Sequence, residues 1–304
     1  MDVGVIGVGT MGKNHVRVFS ELKSVDSVGV YDLNTAAAQA IAAQHGATVY
    51  ATPEDLIAHS DVVSVCVPTQ FHAAVVRQVF SAKKSVFIEK PICATSSEAK
   101  ELMKSAPPGI TIGVGHIERF NPIVKEIKQI ITKPLYVEMK RHNPASARVT
   151  GSSVVEDLMI HDIDILLNVF FPHPCHIHSV GNADVCSVLM ECDHVPVVLS
   201  ASRKSSKKIR ILYVEEEDFT VEGDFMTQEI TIYRKPGRYQ FEEERYVQEN
   251  IIEKVMVNKT EPLKVELSTF VTCAQKGLPF PITPEQAIRN LEVSEQIRAG
   301  FNKA

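Results

Sequence analysis

The sequence predicts an α/β protein: a Rossmann-type doubly wound parallel sheet over residues 1–121, then an α+β domain over residues 122–304 with a large open, mainly antiparallel sheet. Three observations predict it. Short β-branched runs alternate with helix-forming stretches through the first part of the chain. A glycine-rich turn follows the first of these runs directly. Beyond Pro122 the apolar residues change to a period of two.

In order along the chain, Val3-Gly4-Val5-Ile6, Ser27–Tyr31, Val62–Val67, Ser85–Ile88 and Ile110–Val114 read as strands. They lack polar alternation, as parallel strands covered on both faces do. Residues 34–45, 70–82 and 95–104, with Ala, Lys and Glu prominent, supply the intervening helices. Such strand–helix repetition builds right-handed βαβ units. In the second half Leu135, Val137 and Met139 alternate with Tyr136, Glu138 and Lys140. The runs at Val195, Val197 and Leu199 and at Ile230 and Ile232 behave alike, so one sheet face is covered and the other more polar. Lys235-Pro236-Gly237-Arg238 reads as a turn between two such strands. Leu263, Leu267, Phe270, Val271 and Ala274 form one face of a helix that stops at Gly277. Thr283-Pro284-Glu285-Gln286 opens the last helix with a capping box and proline at its first position.

The composition is that of a globular protein, 44% apolar and 23% charged. The formal charge of −5 comes from interspersed signs, which excludes a basic nucleic-acid surface. No apolar run approaches the roughly 20 residues of a bilayer span. The start, Met1-Asp2-Val3, is not that of a signal peptide. Six cysteines without CxxC spacing read as reduced, mostly buried thiols of a cytoplasmic protein.

Gly7-Val8-Gly9-Thr10-Met11-Gly12 lies where a dinucleotide fingerprint must lie, between a strand and a helix. Gly7 makes the tight turn, Gly9 lets a pyrophosphate approach the backbone, and Gly12 allows close helix–strand packing. The helix N-terminus supplies amide donors. Asp32 ends the second strand, 20 residues after Gly12, where a carboxylate receives the adenosine ribose hydroxyls. It repels a 2′-phosphate, and Leu33, Asn34 and Thr35 offer no cation to receive one, so NAD is expected over NADP.

Glu89-Lys90-Pro91 ends the next-to-last strand of this half, on the side where ligands of open α/β sheets bind. A lysine there stabilises a developing alkoxide; the ordinary alternative is a solvated surface lysine. Ser153 and Glu156 have capping-box spacing, so a helix starts near Val154. Asp157, His161, Asp164 and Asn168 then form one polar stripe on it. Either this stripe faces solvent, or His161 is a general base with Asp157 orienting it from one turn away. His173, His176, His178, Cys192 and His194 lack paired-ligand spacing, and no metal site is expected. Asn258-Lys259-Thr260 matches a glycosylation sequon of no consequence in a cytoplasmic chain, and the acidic runs near 215–218 and 242–244 read as solvated charge.

Together these residues resemble the glucose–fructose oxidoreductase / inositol dehydrogenase (Gfo/Idh/MocA) family. The resemblance is carried by the glycine motif, Val67-Pro68-Thr69 with His72, Glu89-Lys90-Pro91, the run from Gly113 to Pro122, and Asp157-x-x-x-His161 with Asp164. Glu261-Pro262-Leu263 and Pro281-Ile282-Thr283 extend it to the end of the chain. It implies a catalytic set of Lys90, Asp157 and His161. It sets Pro68, Thr69, His72, Glu89 and Lys90 by the nicotinamide and its ribose, beside a Lys90–Pro91 peptide in the cis form. It implies a homodimer or homotetramer through the open sheet. The run through Arg119 and Asn121 looks like that of members oxidising the 3-hydroxyl of UDP-N-acetylglucosamine. It makes Arg119 and Asn121 candidate substrate contacts and Arg141 to Arg148 a candidate diphosphate loop. On this reading His161 takes the hydroxyl proton, Lys90 steadies the alkoxide, and hydride passes to NAD+. An inositol or free-sugar dehydrogenase, an imine- or aldehyde-reducing relative and a non-catalytic dinucleotide-binding regulator are the alternatives.

Overall fold

The computed structural model describes residues 1–144, 152–236, 239–242, 245–248 and 250–302. Six parallel strands, β1 (Asp2–Ile6), β2 (Ser27–Tyr31), β3 (Thr48–Val49), β4 (Val62–Val65), β5 (Ser85–Glu89) and β6 (Ile112–Gly115), form one sheet in the order 3-2-1-4-5-6. That is the order of a dinucleotide-binding fold, with its crevice where β1 and β4 diverge. The helices that follow the strands are α1 (Gly12–Glu21), α2 (Thr35–His45), α3 (Pro53–Ala58), α4 (His72–Ser81) and α5 (Ser96–Lys104). Strand β3 has only two residues, too short to print a hydrophobic run, and the sequence reading lacks it.

After α6 (Pro122–Ile130), eight strands form a second sheet: β7 (Tyr136–His142), β8 (His176–Gly181), β9 (Val185–Cys192), β10 (Val195–Ser202), β11 (Ile209–Glu215), β12 (Phe219–Asp224), β13 (Glu229–Arg234) and β16 (Ile251–Val255). The intervening β14 (Tyr239–Glu242) and β15 (Arg245–Gln248) pair only with each other. Every neighbouring pair in the large sheet is antiparallel except β7 with β10. Strand β9 shows the expected period of two, alternately exposed and buried along its whole length. The covered face packs Met139, Val188, Leu199 and Val221 against Met159, Ile163 and Leu166 of a helical segment. Of the proposed turn at 235–238, Gly237 and Arg238 lie outside the described residues.

Two helices close the chain, α8 (Pro262–Lys276) and α9 (Pro284–Ala299). Gly277 ends α8 at φ 62°, and the Thr283–Gln286 capping box forms in both directions at 3.4 Å. The chain divides into two compact units, Met1–Ile117 with Glu261–Glu292, and Glu118–Thr260 with Val293–Ala304. The expected cut after Asn121 assigned all later residues to the second domain, whereas α8 packs on α1. Arg17 pairs with Glu261 and Lys264 with Glu21 at 2.9 Å. Beneath them Phe87, Phe270 and Phe280 meet edge to face over Gly113, where a Cβ would come within 3.1 Å of all three rings.

One expectation is overturned. Cys175 and Cys192 form a disulfide, so the six cysteines are not all thiols. The physical reason is register: His176 pairs with Glu191, which sets Cys175 opposite Cys192 with their Cα atoms 4.5 Å apart. A separation of 17 residues carries no sequence signature of pairing.

Candidate active site

In the first unit, Gly7 takes φ +91° and its N–H donates to the Tyr31 carbonyl at 2.8 Å. A Cβ at Gly12 would lie 1.8 Å from the Gly7 carbonyl oxygen, so the turn closes only with glycine. Nothing lies within 4 Å of a Cβ built at Gly9, and Gly9 and Thr10 are exposed, with Met11 half-buried. This is an open cradle at a helix N-terminus, which fits a dinucleotide pyrophosphate. Asp32 accepts the Val8 N–H at 2.7 Å through one oxygen and the Asn34 N–H at 2.8 Å through the other. An ionised carboxylate has about four acceptor positions. Two ribose hydroxyls therefore remain within its capacity.

On the next loops Pro68 is exposed and Thr69 opens a short turn, Thr69–Phe71. His72 is buried, and its two ring nitrogens face the carbonyls of Pro91 at 3.0 Å and Val67 at 2.9 Å. Burial lowers its pKa, the two carbonyls pulling the other way. The ring braces the two loops and does not offer a nitrogen to a ligand. The Lys90–Pro91 peptide is cis, and Lys90 is half-buried at the end of β5.

Glu89 is buried under this loop. One oxygen meets His15 Nε2 at 2.8 Å, and the other accepts the Lys90 N–H at 3.1 Å. Burial raises a carboxyl pKa, but the bond and charge of His15, with Lys90 beyond, outweigh it and hold Glu89 below 4.5. Burial likewise disfavours a charged His15; Cys66 and Glu89 outweigh it and hold the ring well above 6.5. The signs define a window. Glu89 contributes its stability above 4.5 and loses it as pH falls, while His15 contributes below 6.5 and loses it as pH rises through its raised value. Thermal melts of wild type and Glu89→Gln are therefore expected to differ most between these two pH values, converging on either side.

In the second unit the expected capping box starts the helix. Ser153 N–H donates to Glu156 at 3.2 Å, and Val155 N–H to Ser153 Oγ at 3.2 Å. The helix is not a regular α-helix. Wide π turns at Val155–Met159 and Leu166–Phe170 flank α7 (Ile160–Ile165), a feature frequent at functional sites and invisible to a fixed helical period. Asp157 and His161 are half-buried; Asp164 is buried. Arg203, itself buried, holds the carbonyls of Ser152 and Ala183 at 2.8 and 2.7 Å and stands 3.9 Å from Asp157.

Arg119 and Asn121, the candidate substrate contacts, are both engaged within the second unit. Arg119 Nε donates to Asp164 at 2.8 Å in a two-pronged pair, and Asn168 reaches the same carboxylate at 3.1 Å. Asn121 is 2% exposed; it caps α6 through Ile123 N–H at 3.4 Å and donates to the Phe225 carbonyl at 3.0 Å. Arg141 is 1% exposed and binds Asp162 at 2.6 and 2.9 Å and Glu118 at 2.7 Å, with Arg210 3.1 Å from Glu118. Burial raises the Asp162 carboxyl pKa, only partly offset by Arg141; for Glu118 the two arginines win and lower it. Of the proposed diphosphate loop, 145–148 lie outside the described residues.

The model of the Gfo/Idh/MocA oxidoreductase family, described as an NAD-binding Rossmann fold, matches residues 1–109. The chain is 30% identical over 244 residues to a UDP-N-acetylglucosamine 3-dehydrogenase of Acidithiobacillus ferrooxidans, covering 77% of each chain. It is 29% identical over 178 residues to an inositol 2-dehydrogenase of Paracoccus denitrificans, covering 55% of this chain and 53% of that one. A solved structure of a UDP-N-acetylglucosamine 3-dehydrogenase from A. ferrooxidans superposes with a TM-score of 0.88 at 26% identity, over 99% of this chain and 97% of that one.

Proposed function

The chain belongs to the Gfo/Idh/MocA family of NAD-binding oxidoreductases, and on that footing we propose that it oxidises the 3-hydroxyl of UDP-N-acetylglucosamine, or a closely related UDP-sugar, with NAD+. The observation that carries the substrate is the likeness of nearly the whole chain to a UDP-N-acetylglucosamine 3-dehydrogenase. The bound dinucleotide supplies the hydride acceptor. In this reading the first unit is the cofactor domain and the second the substrate and oligomerisation domain. Gly7, Gly9, Thr10, Met11 and Gly12 hold the pyrophosphate, and Asp32 holds the ribose. His161, as the neutral imidazole, removes the hydroxyl proton, Asp157 orients the ring and stabilises the imidazolium that forms, and Lys90 faces the oxygen as it becomes an alkoxide. Arg119, held by Asp164, and Asn121, at the start of α6, are the candidate substrate-side residues.

NAD over NADP follows from Asp32, whose fixed negative charge opposes a 2′-phosphate. Asp32→Ser is expected to lower kcat/KM for NAD+ by about tenfold or more, the scale of a lost charge-assisted hydrogen bond, and to narrow its margin over NADP+. Parallel kinetics with both cofactors read this directly.

The homo-oligomer of this proposal uses the outer sheet face. Register puts Val180, Leu189, Val198, Tyr213, Tyr233 and Ile252 on one side, with Val180, Leu189 and Ile252 63%, 54% and 58% exposed. Leu189→Lys together with Ile252→Lys is expected to yield a monomer by light scattering. The proposal also places the enzyme in the cytoplasm. The Cys175–Cys192 pair is the observation that weighs against a uniformly reducing setting.

The activity test is absorbance of NADH as the protein and NAD+ meet UDP-N-acetylglucosamine, myo-inositol and free hexoses in turn. Growth with the UDP-sugar alone supports the proposal. Growth only with myo-inositol moves the protein to the reading that its inositol dehydrogenase relatives favour.

A further inference from the structure

The segment Arg203-Lys204-Ser205-Ser206-Lys207-Lys208-Ile209-Arg210 carries five cations and no acid, in a chain whose formal charge is −5. The fold gives it a definite place. Ser202, the last residue of β10, and Ile209, the first of β11, both pair with His142, the last residue of β7. Residues 203–208 therefore close over the end of that strand. Both ends of the crossing reach candidate substrate-side groups. Arg203 is buried, donates to the Ser152 and Ala183 carbonyls, and stands 3.9 Å from Asp157. Arg210 pairs at 3.1 Å with Glu118, the neighbour of Arg119. Between them the Ser205 hydroxyl donates to the Lys207 carbonyl at 2.7 Å and accepts the Lys207 N–H at 3.2 Å, which holds the turn from within. Lys204 meets Asp184 at 3.0 Å, whereas Lys207 and Lys208 are exposed and meet no carboxylate among the described residues.

We propose that this crossing is the diphosphate subsite of the nucleotide sugar, with Lys207 and Lys208 as the side chains that meet its phosphates. The proposal deepens the UDP-sugar reading and rests on it. Like cations crowded on a short turn repel one another until an anion comes between them. A lysine ammonium is a compact point charge with three donors, suited to a phosphate oxygen. Arg141, at the head of the segment expected to meet the diphosphate, is committed to Asp162 and Glu118, which leaves that role to other cations. Arg203 ties the crossing to the carboxylate proposed to orient His161. A sugar at that pair and a diphosphate on the crossing therefore belong to one ligand.

The test is calorimetric titration of UDP into NAD+-loaded protein. Lys207→Ala together with Lys208→Ala changes two exposed side chains and no packed one. In this variant the Kd for UDP is expected to rise about tenfold or more, the scale of lost charge-assisted contacts, while that for NAD+ stays within about twofold. Lys207→Arg with Lys208→Arg keeps both charges and is expected to hold UDP within about threefold of wild type. Equal UDP affinity in wild type and the alanine variant overturns the proposal, as does a wild type that does not bind UDP. A parallel loss for NAD+ would mark a general effect of charge and overturn it too. UDP binding that depends on these lysines, in a protein that oxidises no UDP-sugar, would count against the substrate reading and leave the subsite standing. Turnover of UDP-N-acetylglucosamine with an unchanged KM in the alanine variant would strike the subsite and leave the substrate reading standing.

Discussion

Lys90→Ala is expected to lose about 10²- to 10⁴-fold in kcat, the range of a positioned proton-transfer or charge-stabilising group, while NAD+ affinity stays within about threefold. The separation follows from where binding and chemistry lie. In the proposed mode the glycine turn and Asp32 hold the cofactor, and the Asp32 carboxylate accepts from the Val8 and Asn34 amides. Lys90 follows the last residue of β5, at the strand end where ligands of open α/β sheets bind, and its proposed role is to meet charge that develops only as the hydroxyl is oxidised. His161→Ala is expected to fall comparably, since the same oxygen then keeps its proton. Steady-state kinetics with a fluorescence titration of NAD+ read both quantities. A variant that loses cofactor affinity in step with kcat would instead make Lys90 a cofactor-binding residue.

Arg141→Leu is expected to destabilise the second unit by about 3–5 kcal/mol, the cost of stripping one partner from a buried ion cluster. Glu118 and Asp162 both depend on this guanidinium, and they are 7% and 2% exposed. Without it, Glu118 keeps Arg210 and Asn121, while Asp162 loses its ion pair in a buried setting. Urea unfolding of the two proteins measures the difference. The double variant Arg141→Leu, Asp162→Asn is expected to recover part of the loss, because Glu118 keeps its pair with Arg210 and Asp162 no longer carries a charge to be paired. A single variant as stable as wild type would show that the cluster contributes nothing net. Asp162 adjoins His161 and Asp164 lies three residues beyond it, so the pairs with Arg141 and Arg119 also fasten the helix that presents the candidate base.

Much of this was legible in the chain. The glycine turn, Asp32 at the end of β2, Lys90 at the end of β5 and the Ser153–Glu156 cap all follow from fixed local chemistry, which short segments encode by themselves. The cluster around Arg141 also left a trace. Val137, Met139 and Arg141 share one phase of a strand, so a charge stands where burial repeats, and buried charges demand partners. Which partners they are was not readable, because Glu118, Asp162 and Arg210 come from three distant segments. The π turns around α7 escaped notice because a fixed helical period assumes the regular spacing they interrupt. His15 was missed for a different reason. A single polar residue inside an apolar helix face looks like any buried histidine until Ser64 and Glu89 are brought to it.

The central claim is hydride loss from one carbon of one sugar, and isotopic transfer tests it most directly. UDP-N-acetylglucosamine carrying deuterium at C3 of the hexosamine is incubated with the protein and NAD+, and the reduced cofactor is examined by mass spectrometry. The account predicts reduced nicotinamide that carries the label, together with a 3-keto sugar that has lost it. Unlabelled NADH formed from the same substrate would place the oxidation at another carbon and contradict the assignment.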